Sequence, residues 1–443
     1  MNFDQFKDAC FKLALENGCE NAEVFCVTTD AFSVNVLSGD LDRYDVAKEN
    51  GLNLRVIYEG KSGYAYTEVF EDPQGLVNRA IDNAKSIETT DVSPMQGKCE
   101  YPEIVKPENP VLDLTEGERI GLAMRMERDT MEFDGRVTRM ATCLVSTGTS
   151  HVRICNTLGL NAESSNKYSY SVLGPIVRQG EQERSAYSFC SGKDMLDYSP
   201  TIKESVDNAL MQFNASSVPS GEYRILLRND AAGNLLIAFS GIFSADAVQK
   251  GLSPLNGKLN ERIASECVNI IDDPFEKDNP RSFDDEGVPS VLTNVVTNGV
   301  LNSYLHNLKT ALKDGVASTS NAGRAGIASP VDISPTNFYI TPGEKNYDEM
   351  VNELGNGLII TEVSGLHAGL NPVSGDFSLI ASGLLVENGS VIRSVDQITC
   401  AGNFLNLMND IESIGSDLKF GLPGGCRVGC PSLLIKKLVI SGK

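Results

Sequence analysis

With 41% hydrophobic and 22% charged residues over 443 positions, the chain has the material for ordinary packed cores and does not read as a disordered polymer. Its formal net charge of −21 argues against direct binding to DNA or RNA, since phosphate recognition needs a basic face and no Lys/Arg run exceeds Lys436-Lys437. Eleven scattered cysteines predict reduced, packed thiols, and a start (Met1-Asn-Phe-Asp-Gln-Phe) with neither a basic nor an apolar segment predicts a cytoplasmic protein without a membrane span.

In chain order, Phe3, Phe6, Cys10 and Leu13 recur at helical spacing, and Gly18 stops that helix. Alternating stretches at residues 22–27, 33–37, 52–58 and 62–66, with turns at Ser38-Gly39-Asp40 and Glu59-Gly60-Lys61, predict an antiparallel meander. A helix over 73–87 closes this unit, placed at residues 1–92. Pro94, Pro102, Pro107 and Pro110 mark a linker.

A middle unit, 111–218, opens with a helix over 114–132 and continues with strands near 139–146, 151–155, 168–177 and 184–189. A helix over 200–213 ends it. The third unit, 219–443, starts with a strand over 223–228. Two hairpins follow at Asn298-Gly299 and Asn388-Gly389, whose residues tolerate positive φ. A helix over 404–414 and a strand over 433–440 complete it. The expected class is α+β, with helix-flanked antiparallel sheets in the N-terminal half and a strand-rich C-terminal domain.

Chemistry is sparse. The three histidines, His151, His306 and His367, lie too far apart for a two-histidine zinc pair on one helix. His367 stands in a glycine-rich loop, and Cys426-Arg-Val-Gly-Cys430 offers two thiols without a second pair, so these three residues are weak metal candidates. No Gly-x-Ser-x-Gly elbow or phosphate loop occurs. Asp284-Asp285-Glu286 reads as solvated loop carboxylates, or otherwise as a hard-cation site. The most telling segment is Asn229-Asp230-Ala231-Ala232-Gly233-Asn234, between the strand over 223–228 and the apolar run from Leu235. A zinc hydrolase at such a junction carries imidazoles and a carboxylate. Here carboxamides stand in their place, and a neutral amide oxygen binds zinc poorly. As a local feature, Asn229-Asp230 reads as a helix cap.

Phe283-Asp-Asp-Glu-Gly-Val-Pro289, Ser318-Thr-Ser-Asn-Ala-Gly-Arg324, Asn337-Phe-Tyr-Ile-Thr-Pro-Gly343 and Gly369-Leu-Asn-Pro-Val-Ser-Gly-Asp-Phe-Ser378, followed by Gly383, Glu387-Asn-Gly389 and Ala401-Gly-Asn403, together resemble the TldD/PmbA family. Leu379-Ile380 departs from that pattern, in which Arg-Gly is frequent. The resemblance implies a protease assembly of two subunit types. It lays a His-Glu-x-x-x-His motif on Asn229, Asp230 and Asn234, and a cysteine ligand nearest Cys426. The chain then resembles the type without a metal site: no catalytic residues, no cofactor, and zinc only in a TldD-like partner subunit. Implied partners are that subunit and unfolded or flexible peptides, with a homodimer in isolation. Peptide is expected to add to a sheet edge of the third unit. Two alternatives stay open: an independent hydrolase rebuilt on Asp230, His367 and Cys426 or Cys430, and a non-enzymatic regulator of a protein such as DNA gyrase.

Overall fold

Residues 22–27 and 33–37, separate in the sequence pattern, belong to one strand. The computed structural model describes residues 1–88 and 93–443, so the expected unit boundary at residue 92 lies outside the described residues. Helix α1 (Phe3–Glu16) starts at a capping box in which Asn2 accepts from the Gln5 N–H and the Gln5 side chain accepts from the Asn2 N–H. The meander follows as β1 (Asn21–Leu37), β2 (Asp40–Tyr58) and β3 (Lys61–Thr67), closed by α2 (Pro73–Ser86). Polar residues between 28 and 31 break the alternation of β1, yet the strand continues because it pairs on both sides.

Next come α3 (Glu116–Phe133), β4 (Val137–Asn156), β5 (Asn161–Gln179), β6 (Gln182–Ser185), β7 (Ser188–Ser191) and α4 (Ser199–Leu210). Both units feed one sheet, ordered β3-β2-β1-β4-β5-β6, with β7 also on β5. Alternation sorts its faces. Val24 and Leu54 pack with Phe6 and Leu76 from α1 and α2, while Phe32, Val34 and Val36 pack with Leu122, Met126 and Val206 from α3 and α4. The opposite face, at Phe25 and Ile154, meets Phe283 of the third unit.

The proline-rich stretch has no strand or helix before the 3-10 turn Pro110–Asp113, yet it is packed. Arg55 donates to Ser93 and Pro94, and the Tyr101 hydroxyl donates to the Gly287 carbonyl at 3.0 Å.

The third unit begins with β8 (Gly221–Leu227), α5 (Asn229–Phe239) and α6 (Ala245–Gln249). It continues through β9 (Ile270–Asp272), β10 (Thr293–Thr297), β11 (Val300–Leu301), α7 (Leu308–Asp314), β12 (Ala322–Gly323), β13 (Asp332–Ile333), β14 (Asn337–Ile340) and α8 (Tyr347–Leu354). It ends with β15 (Gly357–Ser364), β16 (Leu370–Asn371), β17 (Asp376–Glu387), β18 (Ser390–Asn403), α9 (Phe404–Asn409), β19 (Ile411–Ile414), β20 (Lys419–Phe420), β21 (Arg427–Cys430) and β22 (Leu433–Ser441). Both Asn-Gly hairpins form, with φ of 48° and 78° at Asn298-Gly299 and 51° and 73° at Asn388-Gly389. The helix expected to reach residue 414 stops at Asn409, and residues 411–414 pair with β22 instead. The fold is α+β, as the residue pattern predicts.

One topological feature bears on where peptide could add. β15 pairs with β8 on one side and β17 on the other, so β15, β8, β22, β18 and β17 close into a ring. The closure removes the terminal edges of this sheet, while the six-stranded sheet of the same unit still ends on β11 and β20.

Candidate functional site

β8 runs into α5 with only Arg228 between them. Neither Asn229 nor Asp230 caps the helix, contrary to expectation, because so tight a junction leaves the capping position to Arg228, which makes no side-chain cap bond. The cap comes from a distant segment: the Ser432 hydroxyl accepts the Asn229 N–H at 3.1 Å and itself donates to Asp417 at 2.7 Å. Asn229 donates its side-chain N–H to the Asp417 carbonyl at 2.9 Å.

Both oxygens of Asp230 are held by cations. The Arg228 guanidinium lies 3.0 Å from Oδ2 and the Lys419 ammonium 3.0 Å from Oδ1. Lys419 Nζ also reaches Glu204 Oε1 of α4 at 2.6 Å, and Arg228 Nη1 donates to Asn208 of the same helix at 2.9 Å. Burial by itself lowers the pKa of Lys419, but Asp230 and Glu204 outweigh it and raise the pKa above the ordinary lysine value, so the amine stays charged. The two cations strap the middle unit to the third across this junction.

The strap borders a cavity of about 570 Å³. Asn229, Asp230, Gly233 and Asn234 form one wall; Arg184 and Phe189 come from the middle unit, Thr361 from the bulge of β15 against β17, and Ser382 from the bulge of β17 against β18. The volume suits a few residues of an extended peptide. Chemically the lining offers carboxamides, hydroxyls, cations and the carboxylates of Glu362 and Asp396, and Asp230 is no free base while two cations hold it.

The sequence pattern flagged residues that the fold separates. The cavity gathers Asn229, Asp230 and Asn234, while His367, Cys426 and Cys430 are not among its lining residues. His367 is exposed on the turn between β15 and β16. Burial pushes the Cys426 thiol up to about 11 and raises that of Cys430 well above its usual value, so both stay protonated and poor as metal ligands. Asp284-Asp285-Glu286 is not a solvated run: Asp284 and Glu286 are each 1% exposed, because the Asp284 carboxylate accepts the N–H groups of Glu286, Val288 and Ala322 and shapes the loop. Among the described residues, no group of three or more His, Cys, Asp or Glu side chains is placed to hold a metal ion.

Lys419, Arg228, Glu204 and Asn208 went unnoticed in the sequence. Each is an isolated polar residue with no motif, and only the docking of α4 and β20 against α5 brings them together.

Three profiles of one family match in succession: PmbA/TldA metallopeptidase domain 1 over residues 22–84, the central domain over 109–213, and the C-terminal domain over 220–442. The chain belongs to the PmbA/TldD metallopeptidase family. Among PmbA/TldD relatives, the metalloprotease PmbA of Escherichia coli is 26% identical over 439 residues, covering 96% of this chain and 93% of its own. A crystal structure from Thermotoga maritima, of a protein named for a proposed modulation of a DNA gyrase, is 34% identical with a TM-score of 0.90, covering 99% of this chain and 100% of that one. TldE from Thermococcus kodakarensis shares the fold at a TM-score of 0.90 and 20% identity, over 99% of this chain and 100% of that one.

The family name implies a metal, and the residues of this cavity do not fit one. At the motif positions, two carboxamides and a carboxylate bound to two cations offer a divalent ion neither a free anionic ligand nor an imidazole, and the other lining carboxylates, Glu362 and Asp396, belong to no group of three or more His, Cys, Asp or Glu placed to hold an ion among the described residues.

Proposed function

We propose that this chain is the metal-free subunit of a two-subunit peptidase assembly, pairing with a TldD-like, zinc-bearing partner and helping to hold unfolded or flexible peptide. The observation that carries the reading is the state of Asp230: at the position where the family motif places its glutamate, the carboxylate is engaged by Arg228 and Lys419. A group so engaged does not activate water, and the charge a metal ion would supply is supplied by side chains. The cavity beside it keeps the size and polarity of a peptide site.

The test is a reconstitution. Purified alone, the chain is expected to carry no stoichiometric zinc by elemental analysis and to leave casein-like and short peptides intact. Affinity capture from cell extract is expected to recover a zinc-peptidase homologue, and the mixture to cleave peptide in a chelator-sensitive way. Stoichiometric zinc and chelator-sensitive cleavage by the chain alone overturn the proposal. Recovery of topoisomerase subunits without a peptidase favours the regulator reading instead.

A further inference from the structure

Two strand irregularities meet at the cavity. β15 bulges at Thr361, and Ala381 pairs with Ile398 while Gly383 pairs with Val395, so Asp396 and Gln397 of β18 stand against Ser382 alone. Gln397 has a φ of 53°, a left-handed conformation that a residue with a side chain holds only where its surroundings impose it. The chain segment before β8 fixes the strand just ahead of this bulge. Arg393 donates to the Ser216 carbonyl at 2.7 Å and to the Ser217 carbonyl at 2.9 Å. Bulges of this kind re-aim side chains beside binding sites.

Asp396 lines the cavity and is half-buried, and its Oδ1 is shut off from water without accepting a hydrogen bond. The cations of the same lining are turned to other partners. Arg228 and Lys419 hold Asp230, and Arg184 donates to the carbonyls of Gln212 and Glu183. Glu362 adds a second, exposed carboxylate, and neither acid makes an ion pair among the described residues. A desolvated acceptor without a donor costs free energy that a bound donor offsets. The lining also carries an orphan donor, since Arg228 Nε is shut off from water and has no acceptor. A peptide with a positive charge answers both: a main-chain carbonyl accepts from Arg228 Nε, and a protonated amine or guanidinium donates to Asp396. Phe189, Ile237 and Phe420 offer apolar surface to its neighbouring side chains, and the net charge of −21 favours the approach of a cation.

We propose that Asp396, reinforced by Glu362, is a subsite for a positively charged group of a bound peptide, either a lysine or arginine side chain or a free amino terminus. The proposal rests on the reading of this cavity as a peptide site and adds that the peptide it takes is cationic.

Isothermal titration calorimetry of the full chain with short peptides of one apolar sequence tests it. One peptide carries a central lysine and blocked ends, a second a central norleucine and a free amino terminus, a third a central norleucine and blocked ends, and a fourth a central glutamate and blocked ends. The lysine peptide or the free-amine peptide is expected to bind at least about tenfold more tightly than the blocked norleucine peptide, and which of them does so tells side chain from terminus. The glutamate peptide is expected to bind more weakly than the blocked norleucine one. Asp396→Asn, which nearly keeps the shape, is expected to bring the cationic preference down to about onefold, and Glu362→Gln, at an exposed position, to lower it less. Circular dichroism checks that each variant is folded. Equal binding of cationic and neutral peptides, tighter binding of the glutamate peptide, a preference unchanged in Asp396→Asn, or no binding of any of the four overturns the subsite. None of these results touches the metal-free subunit reading, which zinc content and the captured partner decide.

Discussion

Arg55→Met is expected to destabilise the fold by about 3–5 kcal/mol, and to do so more at high pH than at low pH. Arg55 is 1% exposed, with its guanidinium 3.7 Å from Glu23 Oε1 and 3.8 Å from Glu286 Oε1, both on side chains that are also 1% exposed. It is the cation shared between the N-terminal sheet and the 283–289 loop of the third unit. Methionine fills much of the volume, so the loss is electrostatic. Two buried carboxylates are left facing each other, and removing one member of a buried ion pair costs far more than the pair's net worth. The hydrogen bonds to Ser93 and Pro94 matter less, because both residues are only half-buried and water replaces the donor.

Burial already lifts the Glu286 carboxyl to about 8, partly offset by Arg55, and without Arg55 it rises further. A carboxyl whose pKa is raised in the folded state contributes stability that is fully present below its unfolded pKa and is lost as pH rises through the folded one. The penalty of Arg55→Met is therefore smallest near about pH 5 and largest above about pH 8. Urea unfolding followed by circular dichroism suits a chain without tryptophan. Adding Glu23→Gln to the variant is expected to recover half of the loss or more. A loss below about 1 kcal/mol, or one equal at both pH values, refutes the reasoning.

Glu286→Gln mimics the protonated acid and keeps an acceptor for the Leu308 N–H, so it is expected to flatten the decline of stability between about pH 5 and pH 8, read from melting curves across that window. Gly383→Ala places a methyl carbon 1.8 Å from the Ile359 carbonyl oxygen, where β17 closes the ring on β15; a loss of about 1–3 kcal/mol or more is expected, and a wild-type melting point refutes the closure at that point. Lys419→Met leaves Glu204 and Asp230 without their common cation. Because the group is partly exposed the cost is about 1 kcal/mol, but amide exchange over 199–210 and 229–239 is expected to quicken, and unchanged exchange refutes the strap.

The sequence by itself determined what depends on neighbours a few residues apart. The helix from Phe3, the two Asn-Gly hairpins and the strand-to-helix junction at Asn229 follow from spacing and from which residues accept positive φ, and the replacement of imidazole by carboxamide is legible without any coordinates. Only the tertiary structure decided which distant residues meet. It capped α5 with Ser432, buried the acidic run at Asp284, closed five strands into a ring and put Lys419 between Asp230 and a glutamate 215 positions away. Periodicity reports the preferences of a single segment. The energy of an ion pair or a strand pairing belongs to two segments at once, and neither carries a local mark of its partner.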